Sequence, residues 1–166
     1  MPRNTQKRII IIGLGNPLLT DDAIGLLTVQ EFERRHSRTF PFVEFKLNYS
    51  GGFDLLYDIL GFEVAIFVDS IVTNQVEPGF CLEISLEDLV MIHQSRLTNS
   101  HGLNLPIVLA AGKKCGYALP DQIVIYGIEG KNFYEFSELP TDQTKKGIEN
   151  TIHKLIIKLD ELYQNN

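Results

Sequence analysis

The sequence predicts an α/β fold, a three-layer αβα arrangement on one twisted, mostly parallel sheet of about five strands with helices on both faces. Strand patterns alternate with helix patterns along the chain. The apolar runs at 8–14, 64–68 and 122–128 are continuous, which is typical of parallel strands buried on both faces. The strand at 79–84 follows its predecessor through a short turn-rich link, so we expect that strand to be antiparallel.

The first half of the chain supplies three strands and two helices. Thr20, Asp21 and Asp22 are a helix-start signal, and the apolar spacing after them predicts a helix over 23–35. An alternating strand at 42–47 leads to the loop Ser50, Gly51 and Gly52. A short helix over 53–60 and the buried strand at 64–68 follow, and Asp69 is expected at the carboxyl end of that strand.

The second half continues the alternation after the antiparallel strand. Apolar spacing predicts a short helix over 85–93, and a polar stretch at 94–101 follows it. We expect a helix over 103–115 and the last strand at 122–128. A long amphipathic helix over 144–163 should close the fold.

Composition narrows the possible classes of protein. The 166 residues suit a single domain over 1–166, and the 44% hydrophobic content suffices for a full core. A net charge of −6 gives no reason to expect a nucleic-acid partner. No apolar stretch approaches the ~20 residues of a membrane span, so no membrane partner is expected. Cys81 and Cys115 form no CxxC pair and are expected to be buried free thiols, which predicts a reducing, cytoplasmic location.

Three polar residues map to the carboxyl edge of the predicted sheet, where open α/β sheets bind ligands: Asp22, Asp69 and His101. Two carboxylates and an imidazole can form an open site for a borderline divalent metal. Each residue also has an ordinary alternative. Asp22 could cap its helix, Asp69 could accept hydrogen bonds from turn amides, and His101 could be a solvent-facing loop residue. His36, His93 and His153 look like surface positions.

The glycine-rich loop after the first strand does not match the common nucleotide-binding and hydrolase motifs. Gly13 and Gly15 begin a G-x-G-x-x-G dinucleotide pattern, but Leu18 occupies its third glycine position. Leu47 and Asn48 stand where an acidic residue would bind ribose. The chain also lacks the GK[ST] of a P-loop and the GxSxG of a nucleophile elbow.

Four blocks of the sequence resemble the nickel–iron hydrogenase maturation endopeptidases, in family order and spanning about residues 8–160. The resemblance is carried by IIIIGLGNPLLTDDAIGL, VAIFVDSIV, SHGLNLPIVLAAGKKCG and LPDQIVIYGIE. The first block matches the family pattern G-[IVL]-G-N-x-L-x-x-D-[DE]-x-[IV]-G. The resemblance implies a phosphorylase/hydrolase-like fold.

The resemblance also implies an activity and a site. A member of the family cuts the C-terminal extension from a hydrogenase large-subunit precursor after nickel insertion. Its metal-binding and catalytic positions would fall here on Asp22, Asp69 and His101. The family often has Glu where this chain has Asp22. Nickel would arrive with the substrate, and other divalent metals are expected to substitute for it.

The same resemblance places a substrate cleft around the loops that follow the first two strands. Its wall would include Asn16 and the loop Ser50, Gly51 and Gly52, which is one residue shorter than the family's D-G-G-T-x-[GP].

Two other functions remain open from the sequence. Peptidyl-tRNA hydrolases also open with a strand and GLGNPG, but here Leu18 follows Pro17, and Asp21 and Asp22 replace the start of that family's T-R-H-N run. The chain also lacks the basic surface expected for RNA. A non-catalytic maturation chaperone would present the same ligands without cutting, and a cleavage assay would separate it from a protease.

Overall fold

The computed structural model describes residues 7–94 and 100–164, except the side chains of 93–104. Its strands form one five-stranded sheet in the order β2-β1-β3-β5-β4. Neighbouring strands are parallel except β4, which pairs antiparallel with β5. The strand bounds are β1 Ile9–Leu14, β2 Val43–Asn48, β3 Val64–Ile71, β4 Cys81–Ile84 and β5 Gln122–Glu129. The predicted fold class, including the antiparallel strand, is confirmed.

Helices cover both faces of this sheet. One core holds Phe32 of α1 and Leu155 of α6, and the opposite core holds Leu55 of α2 and Leu105 of α4. The helix bounds are α1 Ile24–His36, α2 Asp54–Ile59, α3 Leu86–Gln94, α4 Ser100–Lys114, α5 Asp142–Lys145 and α6 Gly147–Gln164. A 3-10 turn at Thr20–Ala23 leads into α1. Within the described residues, no helix is long and apolar enough to cross a membrane.

Three local predictions were wrong. Strand β3 continues to Ile71, so Asp69 lies inside the strand, because pairing with β5 extends through Asp69 opposite Gly127. Helix α4 begins at Ser100, so His101 belongs to the first helical turn and not to a loop before the helix. The Cys115 thiol is exposed, because its residue directly follows the last residue of α4, whereas Cys81 is buried in the sheet; both are free.

One close packing contact sets the start of α1 against the sheet. A Cβ atom at Gly25 would lie 2.4 Å from the carbonyl oxygens of both Leu14 and Val68. Only glycine permits this approach, since both neighbours are backbone atoms. The contact fixes the 3-10 turn and Asp22 above the carboxyl ends of β1 and β3.

Candidate functional site

Two of the three predicted ligands meet at the carboxyl edge of the sheet. Asp22 and Asp69 are 4% and 5% exposed. Ser70 contacts both: its hydroxyl donates to Asp22 Oδ1 at 2.9 Å, and its backbone N–H donates to Asp69 Oδ1 at 2.8 Å. The serine therefore joins two buried carboxylates that come from distant segments of the chain.

The alternation of β3 explains how Ser70 reaches both carboxylates. Neighbours two residues apart share a face, so Asp69 lies on the face of Phe67 and Ile71, which α2, α3 and α4 cover. Ser70 points to the opposite face, towards the turn that carries Asp22. Ser70 thus contacts one carboxylate through its side chain and the other through its backbone.

The electrostatics of this pair are unusual for aspartates. Burial is the main cause that raises the pKa of Asp69 to about 8, and the negative charge of Asp22 adds to the effect. Within the described residues, the one hydrogen bond to the Asp69 carboxylate is that from Ser70. A buried carboxyl beside a second carboxylate, with few donors of its own, is an environment that a bound cation would relieve.

Asp22 does not cap α1. The N-cap position is Ala23, and no side chain caps the helix. The Asp22 carboxylate instead accepts the backbone N–H of Asn16 at 3.1 Å through Oδ2, in addition to the Ser70 hydroxyl. Gly15 makes this turn possible: its φ is +145°, and a Cβ there would lie 2.0 Å from the Asp22 carbonyl oxygen.

The third predicted ligand is located only by its backbone. His101 is in the first turn of α4, a helix that packs on the same face of the sheet as Asp69. Its imidazole falls outside the described residues, so its part in the site stays a prediction. Among the side chains that are described, no group of three or more His, Cys, Asp or Glu is arranged to hold a metal.

The predicted cleft residues occupy the two loops that follow β1 and β2. Asn16 shapes its own loop, because its side-chain oxygen accepts the N–H of Leu18 at 3.0 Å. A recess of about 430 Å³ separates the two loops and is lined in part by Pro17, Leu18 and Tyr49. No contact of Ser50, Gly51 or Gly52 with the carboxylate pair is seen among the described residues, and their role in the cleft stays a prediction.

Asn48 organises the second of these loops. Its side-chain oxygen accepts the backbone N–H groups of Ser50 and Gly51 at 3.1 and 2.8 Å, and its amide donates to Asp58 Oδ2 at 3.0 Å. Lys46 also binds Asp58. A buried asparagine at this strand end therefore works as a loop anchor.

Asp21, next to Asp22, has a different environment. Its fully buried carboxylate accepts five hydrogen bonds, at 2.7 to 3.0 Å, all from the segment after β5. The donors are the backbone N–H groups of Lys131, Asn132 and Thr141 and the hydroxyls of Thr141 and Thr144. Burial alone would raise the pKa of Asp21, but these hydrogen bonds outweigh it and the pKa is lowered.

Glu129 plays a similar part at the end of β5. Its buried carboxylate accepts the backbone N–H groups of Thr73 and Asn74 and the Thr73 hydroxyl, at 2.7 to 3.0 Å. These bonds hold the loop after β3, in which Asn74 adopts a φ of +53°.

Sequence reasoning missed the connecting residue of the site and its anchors. Ser70 had a visible signal, since it directly follows Asp69 in the block VAIFVDSIV. The sequence pattern places Asn48 only where a ribose ligand would stand, and it gives Asp21 no role beyond the helix-start signal and the family pattern. Their actual partners lie far along the chain or depend on loop shape, which spacing does not reveal.

Comparison with known proteins identifies the family of this chain. It is 31% identical over 121 residues to the hydrogenase 2 maturation protease of Escherichia coli K12, covering 73% of this chain and 72% of the relative. This chain belongs to the hydrogenase maturation protease family. No family model matches the sequence.

Solved structures of the hydrogenase maturation protease family share the fold. The maturating endopeptidase HybD from E. coli superposes with a TM-score of 0.77 at 26% identity, with 93% of each chain covered. The [NiFe] hydrogenase maturation protease HybD from Thermococcus kodakarensis gives a TM-score of 0.68 at 22% identity, covering 92% of this chain and 98% of that one. The family resemblance inferred from the sequence blocks is confirmed.

Proposed function

We propose that this chain is an endopeptidase that removes the C-terminal extension of a nickel–iron hydrogenase large-subunit precursor after nickel insertion. Family membership supports a protease over the peptidyl-tRNA hydrolase alternative. The proposed substrate is the precursor with its nickel in place, and the ligands that recognise this nickel are Asp22, Asp69 and His101.

The observation that carries the proposal is the pair of buried carboxylates joined by Ser70. Burial is the main cause of the raised pKa of Asp69, and repulsion between the two buried carboxylates is the second cause. A divalent cation between them would remove that repulsion. With one imidazole added, the oxygen and nitrogen donors suit a borderline metal such as nickel.

These three donors would not fill the coordination shell of a metal ion, so a reacting group could also bind it. Three protein ligands would leave room at the metal for a substrate carbonyl or a water molecule, and the metal would polarise the carbonyl or lower the pKa of the water. The chain itself supplies the fixed geometry. Ser70 and the Asn16 N–H hold the Asp22 carboxylate in one orientation, so it need not reorganise when the substrate arrives.

The test is cleavage of nickel-loaded precursor, followed by the mobility shift of the processed subunit on a gel. Wild-type protein should cut the nickel-loaded precursor and leave the nickel-free precursor intact. His101→Ala should lower the cleavage rate at least about 100-fold, since losing even a residue that supports a metal ligand commonly costs 10–100-fold. Alanine has the highest helix propensity, so α4 should be retained.

His153→Ala is the matched control. His153 is an exposed histidine on α6, and its replacement should leave the cleavage rate within about two-fold, as is usual for surface changes. A thermal melt of both variants separates ligand loss from unfolding. Full cleavage by His101→Ala would remove the imidazole from the mechanism. Binding of the precursor by wild-type protein without any cleavage would instead favour the chaperone alternative.

A further inference from the structure

The segment 131–141 is bound to the loop that carries Asp22. Besides the five bonds to Asp21, the Asp21 N–H donates to the carbonyl of Asn132 at 3.0 Å, and the Thr20 hydroxyl donates to the carbonyl of Glu135 at 2.6 Å. The Ser137 N–H donates to the carbonyl of Leu18 at 3.0 Å. Leu19 and Phe136 also form an isolated antiparallel bridge.

This firmly held segment presents large apolar side chains to solvent. Tyr134 is 75% exposed, Phe136 85% and Leu139 71%, and the neighbouring Leu18 is 54% exposed. Large apolar side chains that a firmly held segment exposes to solvent are candidates for a binding surface. Aromatic residues in particular supply much of the binding energy at protein interfaces.

We propose that Asp21 is a positioning residue for substrate binding: it fixes segment 131–141 beside the site so that its apolar side chains contact the precursor polypeptide. This inference rests on the proposed function. The occupant is the precursor, because the segment is hydrogen-bonded to Leu18, Thr20 and Asp21, and the residue that follows is the proposed ligand Asp22. A precursor whose nickel is bound by Asp22 would therefore lie close to this segment.

The hydrogen-bond pattern predicts how the loss of Asp21 would affect kinetics. All five bonds to the Asp21 carboxylate come from residues 131–144, whereas the Asp22 carboxylate is held by Asn16 and Ser70. Releasing the segment should therefore leave the Asp22 carboxylate in place. The predicted effect is weaker substrate binding with a nearly unchanged chemical step.

The experiment measures kcat and KM on nickel-loaded precursor for two single variants, their double variant and one control. Asp21→Asn keeps the side-chain shape but places an amide donor among the loop donors. Phe136→Ala removes an exposed ring without touching the core. Phe42→Ala removes an exposed ring just before β2, at the opposite edge of the sheet, and is the matched control.

We expect KM to rise at least about five-fold in both Asp21→Asn and Phe136→Ala, with kcat within about two-fold of wild type, as removal of uniform binding requires. The double variant should raise KM by less than the product of the single effects, because both act through one segment. Phe42→Ala should match wild type. An unchanged KM in Phe136→Ala, or a fall in kcat alone in Asp21→Asn, would overturn the proposal.

A binding measurement keeps this inference separate from the proposed function. If wild-type protein does not cleave, the affinity of labelled nickel-loaded precursor for each variant is measured by fluorescence anisotropy. Weaker binding by Asp21→Asn and Phe136→Ala, but not by Phe42→Ala, would still support the docking role. Equal binding by all four proteins would refute it, whether or not cleavage occurs. A thermal melt of Asp21→Asn checks that this variant folds. If Asp21→Asn is unfolded, Phe136→Ala still tests the exposed surface of the segment.

Discussion

Replacing Asp69 by asparagine should stabilise the metal-free protein while removing its activity. The folded protein holds the pKa of Asp69 at about 8, above the ordinary value of 3.8, mainly because the group is buried and also because Asp22 is near. A carboxyl with a raised pKa keeps its proton in the folded state over a pH range in which the unfolded chain releases it. Its stabilising contribution is therefore complete below about pH 4 and is lost as the pH rises to about 8.

The size of this effect follows from the two pKa values. Each pH unit between them costs about 1.4 kcal/mol of unfolding free energy, so the full loss approaches roughly 6 kcal/mol at pH 8 and above. An asparagine amide carries no charge and can still accept the Ser70 N–H, but burying its NH₂ group costs about 1–3 kcal/mol unless it finds an acceptor. We therefore expect the unfolding free energy of Asp69→Asn to exceed that of wild type by about 3–5 kcal/mol at pH 9 and to show no advantage at pH 4.

The assay is urea unfolding of both proteins in EDTA at pH 4, 6, 8 and 9, with cleavage of nickel-loaded precursor measured alongside. The difference in unfolding free energy should grow from pH 4 to 8 and level off above it. Parallel pH profiles for the two proteins would refute the claim that Asp69 is held protonated by its surroundings. Stabilisation together with loss of cleavage would be the usual pattern of a residue kept for function at the expense of stability.

The remaining predictions concern the thiols and a loop anchor. In native protein under mild non-reducing conditions, a thiol reagent should label Cys115 and leave Cys81 unlabelled until urea is added, as counted by mass spectrometry. Burial also raises the pKa of Cys81, which slows its reaction further. A bridge between the two cysteines would contradict this result and the predicted reducing compartment. Asn48→Ala should cost roughly 1–3 kcal/mol in urea unfolding, because Asp58 loses a buried donor and two loop amides lose their acceptor. An unchanged unfolding midpoint would show that Asn48 does not hold this loop.

The sheet was predictable because its signals are local. Continuous apolar runs identified β1, β3 and β5 as two-sided strands, and the short link before β4 predicted its antiparallel direction. The end of β3 was missed because Asp69 and Ser70 look like the end of a strand, whereas pairing with β5 carries the strand on to Ile71. Tertiary pairing outweighed the local polarity there.

The two carboxylates of the candidate site were predictable for a different reason. Their segments are distant in sequence, but the topology of a parallel sheet brings strand ends to one edge, and the family resemblance selected the residues. The bridging hydroxyl of Ser70 was not predictable, because its contact with Asp22 depends on the turn made possible by Gly15. The start of α4 was also missed, since a polar stretch rich in Ser, Asn and His is typical of a loop.

Asp21 and Asp22 show why identity and spacing alone cannot assign the ligand. Both are acidic, adjacent and buried, and either could have capped α1. The structure separates them by their partners. Asp21 receives five donors, which satisfy its charge and lower its pKa, so it has little left to offer a cation. Asp22 faces Ser70 and contributes to the raised pKa of Asp69, so a cation placed between Asp22 and Asp69 would relieve repulsion that hydrogen bonds have not removed. This difference favours Asp22 as the ligand and leaves Asp21 as the anchor of segment 131–141.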